Sequence, residues 1–435
     1  MQTSLETLGE LERRLTMSVP VAEIESEIQQ RLARLAKNVK VPGFRPGKVP
    51  LKMVAQQYGS QVRSDVISDA VKANFADAIR EQNLRIAGNP RIEPRTEAGA
   101  PDALEFSAIF EIYPDVKVGD LSDVTIERAQ ADVAPEDIDR TIDMLRRQRT
   151  RYEHVARAAA QGDRVTVDFT GRTDGVEFPG GQASDFPMVL GEGRMLPEFE
   201  TAVTGMKEGE TKTFSLTFPA DYHGKEVAGK KADFDLKVKR VEQGFVPDVD
   251  AEFARAFGIA SGSVDDLRAE IASNLRLELR RKVDTKVKEQ VFTALRKKAL
   301  FVVPRSLVEA EMQNMMQRMA TEMREQGVKA EDINLNPETL RAGAESRVAL
   351  GLILSEIVRT EGLGAKPEQV KALVQEAAQT YEQPEAVVRW HYEKPERLGD
   401  FEALAVEHNV VDWVLSRARV AERPAAFTEL MGTPA

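Results

Sequence analysis

Between residues 161 and 243 the chain gathers aromatic and aliphatic side chains on elements that carry no nucleophile: Phe169, Phe178, Phe186, Met195, Leu196, Phe199, Tyr222 and Phe234. Such a set can line a small apolar cleft that binds an apolar group and excludes water around it. The same residue types also fill an ordinary β-sheet core, and spacing alone favours that plainer reading. Within the segment, Leu190-Gly191-Glu192-Gly193-Arg194-Met195-Leu196-Pro197-Glu198-Phe199 is a glycine-rich turn leading into a short helix. It is not a phosphate loop, because Glu192 and Glu198 would repel phosphate and no Lys-Ser/Thr pair follows. The chain contains no cysteine, which excludes thiolate chemistry, disulfides and Cys-based zinc sites. His154, His223, His391 and His408 show no ligand spacing, so neither a metal nor a cofactor is expected.

A second stretch has the composition of a docking tip. Gly43-Phe44-Arg45-Pro46-Gly47-Lys48-Val49-Pro50 holds two glycines and two prolines in eight residues, which rules out regular structure. From Gln29 to Ser64 there is no Asp or Glu, while Arg31, Arg34, Lys37, Lys40, Arg45, Lys48, Lys52 and Arg63 are cationic in a chain of net charge -11. A charge run is usually a solvated face. Phe44 shifts that reading, because an aromatic flanked by cations suits a partner that is anionic and carries an apolar crevice.

The loop resembles the ribosome-binding signature Gly-Phe-Arg-x-Gly-Lys-x-Pro of the trigger factor family of bacterial chaperones, matched at Gly43, Phe44, Arg45, Gly47, Lys48 and Pro50. The resemblance implies docking beside the exit of the peptide tunnel on the large ribosomal subunit, through protein and rRNA phosphates. It implies nascent and unfolded polypeptides as clients, and a homodimer off the ribosome. Pro46 stands where some relatives carry lysine. An RNA-binding regulator is the competing reading of the basic loop, and the spacing of its glycines departs from that of KH domains.

The central segment is similar to FKBP-type peptidyl-prolyl isomerases in the order of its motifs: Phe169-Thr170-Gly171, then Gly175-x-x-Phe178, the glycine-rich turn, Phe218-Pro219-x-x-Tyr222 and Phe234-Asp235-Leu236-x-Val238. That similarity implies that the eight apolar residues surround a bound proline. The residue types agree with the reaction. Rotation about a peptide bond meets a barrier of roughly 18–20 kcal/mol because the twisted amide loses resonance. No bond is made or broken, so no acid, base or metal is required. A dry pocket favours the less polar twisted amide, while the Leu196 N–H or the Tyr222 hydroxyl holds a flanking carbonyl. Two departures, Pro179 in place of an acid and Phe199 in place of a tryptophan, bear on inhibitor binding more than on turnover. The alternative is a holdase whose isomerase-like domain only grips clients.

The elements that position these residues follow from periodicity. A length of 435 residues suggests about three domains, and the fold expected is multidomain α+β. The expected divisions are a ribosome-binding α+β domain at 1–112, a connector at 113–160, an FKBP-like sheet and helix domain at 161–243, and an all-helical chaperone domain with arms at 244–435. In the first, Thr3 to Val19 reads as a strand and a helix follows Pro20. Helices are expected at Leu51–Tyr58 and Val62–Glu81, and strands at Arg91–Pro94 and Leu104–Tyr113. The segment Val116–Arg128 alternates like a strand, and Pro135 opens a helix. From Phe245 onward the spacing is helical, with a long helix from Val264 that Pro304 ends. Met312, Met315, Met316, Met319 and Met323 form a stripe that is either core or an adaptable client surface. No apolar run approaches the ~20 residues that span a bilayer, and Met1 to Val19 is charged, unlike a signal peptide. A cytoplasmic location without membrane contact is expected.

Overall fold

The computed structural model describes residues 3–39, 49–95, 103–222, 224, 226–327, 336–379, 381 and 383–432. The chain divides into two compact units, Met1–Arg128 with Lys286–Ala421, and Ala129–Thr285 with Glu422–Ala435.

The first unit begins with a hairpin where one strand was expected. β1 (Thr3–Thr7) pairs antiparallel with β2 (Glu12–Pro20), and the turn closes as the Leu8 and Gly9 N–H groups donate to the Glu12 carbonyl at 3.0 and 3.3 Å. β2 buries Leu15, Met17 and Val19 on one face, the period of two that a half-buried strand requires. Pro20 leads into α1 (Val21–Asn38), which buries Ile24, Ile28 and Leu32. α2 (Leu51–Glu81) is continuous through Gly59, where two helices were expected. A mid-helix glycine costs about 1 kcal/mol, and the buried face of Val54, Val62, Val66, Val71 and Phe75 outweighs it. β3 (Ile86–Pro94) and β4 (Ala103–Ile112) complete a sheet of order β1-β2-β4-β3. Phe75 meets Phe110 edge-on at 5.3 Å where α2 crosses this sheet.

Of the segment 116–128, only its end is a strand. β5 (Thr125–Gln130) follows irregular chain with a single bridge, Val118 to Ala299. In the second unit α3 (Pro135–Gln148) buries Ile142 against Phe253 of α5 (Ala251–Ala256). The central sheet comprises β6 (Arg151–His154), β7 (Arg164–Thr173), β8 (Val176–Val189), β9 (Thr211–Thr217) and β10 (Lys231–Phe245). Its order is β6-β10-β7-β8, with β9 also on β10. α4 (Pro197–Val203) covers the buried face.

The long helix α6 (Val264–Lys298) ends before Pro304, which instead precedes α7 (Arg305–Glu325). α7 packs on α8 (Pro337–Glu361) through Val308, Met312 and Ala344. α9 (Pro367–Ala378), α10 (Pro384–Tyr392) and α11 (Gly399–Leu415) gather around Val370, Val374 and Ala405. The C-terminal region is not helical throughout, since β11 (Arg419–Pro424) pairs with β5 before α12 (Phe427–Met431).

Candidate functional site

All eight central candidates lie in one hydrophobic cluster of the second unit. β7 and β10 are antiparallel neighbours whose alternation puts Val165, Val167 and Phe169 on the same buried face as Phe234, Leu236 and Val238. Phe199, brought in by α4, is the deepest ring at 1% exposure. Phe169, Phe214 and Phe234 surround it edge-on, with centroids at 5.3, 5.4 and 5.6 Å. Phe186 meets Phe169 at 5.8 Å, and Phe178 meets Phe234 at 6.2 Å. Edge-to-face contacts at these distances each add about 0.5–1.5 kcal/mol beyond burial. Phe178, Phe186, Met195, Leu196 and Tyr222 are only partly buried. The cluster therefore has a closed floor and an accessible rim.

Two glycines let the rings come this close. A Cβ on Gly171 would lie 2.6 Å from Phe234 and 3.1 Å from Phe178, and one on Gly181 would lie 2.8 Å from Phe178. Phe178 thus lies across two bare stretches of backbone, where the β7–β8 register shifts between Thr170 and Arg172.

The loop that carries Met195 and Leu196 is held from below. Glu200 on α4 is 8% exposed, and its carboxylate accepts the Gly191 N–H at 3.0 Å. A carboxylate thus takes the N–H of this glycine-rich turn, consistent with its exclusion as a phosphate loop. Gly191 and Gly193 have φ of 94° and 69°, the left-handed region that glycine enters without steric cost. The Leu196 carbonyl accepts the Phe199 and Glu200 N–H groups at 2.9 and 3.1 Å, which starts α4 directly behind the rim.

Charge around the cluster is paired, exposed at Asp235 and buried at Glu242. A hydrogen bond from the Thr213 hydroxyl, then one from Arg172, holds the Asp235 carboxyl below its ordinary range. Arg164 does the same for Glu242, donating at 2.8 Å while its guanidinium stacks over Tyr152 at 4.4 Å. Burial, and then the Glu192 carboxylate, push the Tyr152 phenol up. The floor ring Phe199 is packed against the rings of Phe169, Phe214 and Phe234, which suits an apolar ligand.

Gly43, Phe44, Arg45, Gly47 and Lys48 lie outside the described residues. Their flanks do not: Val49 is buried in the core of the first unit and Val39 packs against it. The basic run is less uniform than its sequence implies. Arg31 is pinned by Glu27 and Asp69 at 3.0 and 2.9 Å, and Arg63 by Glu25 at 2.6 Å. The methionine stripe divides along α7: Met312 is buried, Met315 and Met316 are half-buried, Met319 is exposed and Met323 is half-buried. Trp390 and Tyr392 are exposed, while Trp413 donates its indole N–H to Glu361 at 2.9 Å.

Sequence reasoning missed Phe214 and Phe218, whose alternation with Leu216 along β9 marks a buried face. It also missed Gly171, Gly181 and Glu200. Of these three, only Gly171 carried a signal, as the last residue of the Phe169-Thr170-Gly171 motif; Phe218 likewise stood in the Phe218-Pro219-x-x-Tyr222 motif.

Comparison with known proteins places these parts in a familiar order. Residues 1–145 match the family model described as bacterial trigger factor protein, and residues 263–416 match that of its C-terminus. Residues 155–239 match the FKBP-type peptidyl-prolyl cis-trans isomerase model. The chain is 51% identical to a trigger factor of Dechloromonas aromatica over 432 residues, 99% of each chain. It is 52% identical to one of Aromatoleum aromaticum over 435 residues, all of both chains. A solved trigger factor chaperone aligns over 96% of this chain and 99% of that one, at 16% identity and a TM-score of 0.49.

Proposed function

The chain belongs to the bacterial trigger factor family, ribosome-associated chaperones with an FKBP-type isomerase domain, and we propose how its residues divide that work. The isomerase domain spans 161–243. A prolyl ring enters over Phe199, between Phe169, Phe186 and Phe234, while Phe178, Met195, Leu196 and Tyr222 form the rim. The observation that carries this reading is the nested set of edge-on rings around Phe199 beneath a partly open rim. Transfer of the X-Pro amide into that setting weakens solvation of the planar, polar form more than of the twisted form. Each ~1.4 kcal/mol of that difference is tenfold in rate. The Leu196 N–H or the Tyr222 hydroxyl steadies a neighbouring carbonyl.

The docking domain is 1–112, with Phe44, Arg45 and Lys48 on the ribosome's surface and rRNA phosphates among their contacts. Val39 and Val49 moor the two ends of that loop, which lowers the entropy lost on docking. The connector is 113–160, and residues 244–435 hold clients on scattered apolar surface that includes Met319 and Met323. The setting is the cytoplasm, with a homodimer off the ribosome. Among the described residues no helix is long and apolar enough to cross a membrane.

One pair of measurements tests this division. Phe44→Ala with Arg45→Ala and Lys48→Ala should abolish cosedimentation with large subunits while leaving proline-limited refolding catalysis intact. Phe199→Ala should do the reverse. Unchanged cosedimentation of the triple variant would refute the docking assignment, and a slow refolding phase unaffected by the wild-type chain would leave only client holding.

A further inference from the structure

β5 has two edges, and among the described residues only one of them is taken by another strand. The Arg419 N–H donates to the Val124 carbonyl and the Ala425 N–H to that of Gln130, so even-numbered peptide groups of β5 face β11. Odd-numbered groups face the opposite edge, because successive residues of a strand alternate. On that edge the Gln290 side chain imitates a strand. Its Oε1 accepts the Glu127 N–H and its Nε2 donates to the Glu127 carbonyl, both at 2.8 Å. The N–H and C=O of exposed Thr125 come next along the same edge, and there a groove of 580 Å³ opens between β5 and α6.

The groove has a floor and a charge. Ile126 and Ala294 supply apolar surface, and Lys286, Lys297 and Lys298 stand around it against a single acid, Glu289. Lys298 is held by Asp123 at 2.6 Å. Lys286 and Lys297 have no ion-pair partner among the described residues, an unbalanced positive rim in a chain of net charge -11.

We propose that this groove binds an extended acidic peptide, which adds as a strand to the Thr125 edge of β5 and sets its carboxylates against Lys286 and Lys297. Beside the Gln290 plug, the Thr125 N–H and C=O supply main-chain hydrogen bonds, and alternate side chains of the added strand supply selectivity. The site is separate from the prolyl cleft and does not depend on isomerisation.

The test uses the full chain and a fluorescein-labelled, proline-free peptide, Val-Glu-Val-Thr-Val-Glu-Val, read by anisotropy. The double variant Lys286→Ala, Lys297→Ala should weaken binding about threefold to tenfold, the worth of two partly exposed ion pairs. It should leave binding of the Glu-to-Gln peptide and prolyl isomerase turnover unchanged. Methylation of alternate peptide nitrogens in the probe should abolish binding, as should Thr125→Pro, which proline's tolerance at the first residue of a strand allows. If the acidic and amide peptides bind the wild-type chain equally, or the methylated probe binds as well as the parent, the proposal is wrong.

Discussion

Gly171→Ala is a one-methyl perturbation whose effect can be worked from the ring positions. The added Cβ would lie 2.6 and 2.8 Å from two carbons of the Phe234 ring, so that ring must retreat by about 0.8 Å to reach the 3.4 Å at which ordinary contact begins. Phe234 has little room to do so. It is 4% exposed, and the rings of Phe169, Phe178, Phe199, Phe214 and Phe218 stand around it at 5.6–6.4 Å. Overpacking a dense core costs about 1–3 kcal/mol. A wall displaced by nearly 1 Å costs up to about 100-fold in a reaction that depends on positioning. The expectation is therefore a 10- to 100-fold loss of kcat/KM in a protease-coupled assay on a short X-Pro peptide. Ribosome cosedimentation and suppression of client aggregation should be unchanged. Gly59→Ala is the control, since its Cβ meets nothing within 4 Å and should stabilise α2 by about 0.5–1 kcal/mol. Full isomerase activity in Gly171→Ala would refute the assignment of Phe234 and Phe178 to the cleft wall.

Two further expectations concern stability. The hydrogen bond from Arg164, aided by the charges of Arg164 and Arg240, lowers the Glu242 pKa against the opposing effect of burial. Stability from this pair is thus complete above the unfolded carboxylate's pKa of about 4.3, and it is lost as pH falls through the lower folded value. Glu242→Gln should flatten the acid limb of a denaturation-midpoint profile below about pH 5, and an unchanged limb would show that the pair does not contribute. Glu111 binds the first turn of α7 by accepting the Ser306 and Arg305 N–H groups at 2.7 and 3.1 Å, with the Ser306 hydroxyl also at 2.7 Å. Glu111→Ala should cost about 0.5–2 kcal/mol, the worth of a helix cap, and speed amide exchange in that turn; unaltered exchange would rule out the capping role.

What the sequence made legible was whatever local rules decide. The period of three or four from Val21 to Val39 and the alternation along β7 each follow from one element burying one face, so they survive in the fold. The glycine-rich turn was legible for the same reason, since its positive φ angles are a local demand. The errors are places where tertiary packing overrode a local signal. Gly59-Ser60 reads as a break, but the face of α2 on either side of it is buried in one core shared with α1 and the sheet. Thr3–Val19 reads as one strand, but its Leu8–Leu11 segment turns back so that β1 can pair with β2. β11 was invisible because Arg419–Pro424 is exposed throughout and has no alternation to read.

The methionine stripe shows where one-dimensional pattern stops carrying functional information. Met312 and Met319 stand two turns apart on one face of α7 and are indistinguishable by spacing. Ala344 of α8 closes over the first, while the second is left 37% exposed. Met315 comes within 3.5 Å of where a Cβ on Gly343 would stand, so small residues of α8 let the two helices approach at that level. Whether a side chain is core or exposed surface is therefore decided by the partner helix, about thirty residues away in sequence. Under the proposed client role, the same argument ranks Trp390 and Tyr392, at 50% and 45% exposure, above most of the stripe. It also qualifies Trp390, because the Arg397 guanidinium sits 3.8 Å from its ring centroid. A client that uses this indole must either stack on the open face or displace the cation, a contact worth about 0.5–1 kcal/mol at an exposed site. Arg397 also donates to the Trp390 carbonyl and pairs with Glu393 at 3.5 Å, so displacing it costs more than the ring contact alone, and under the proposed client role an unfolded chain stacks on the open face of the indole.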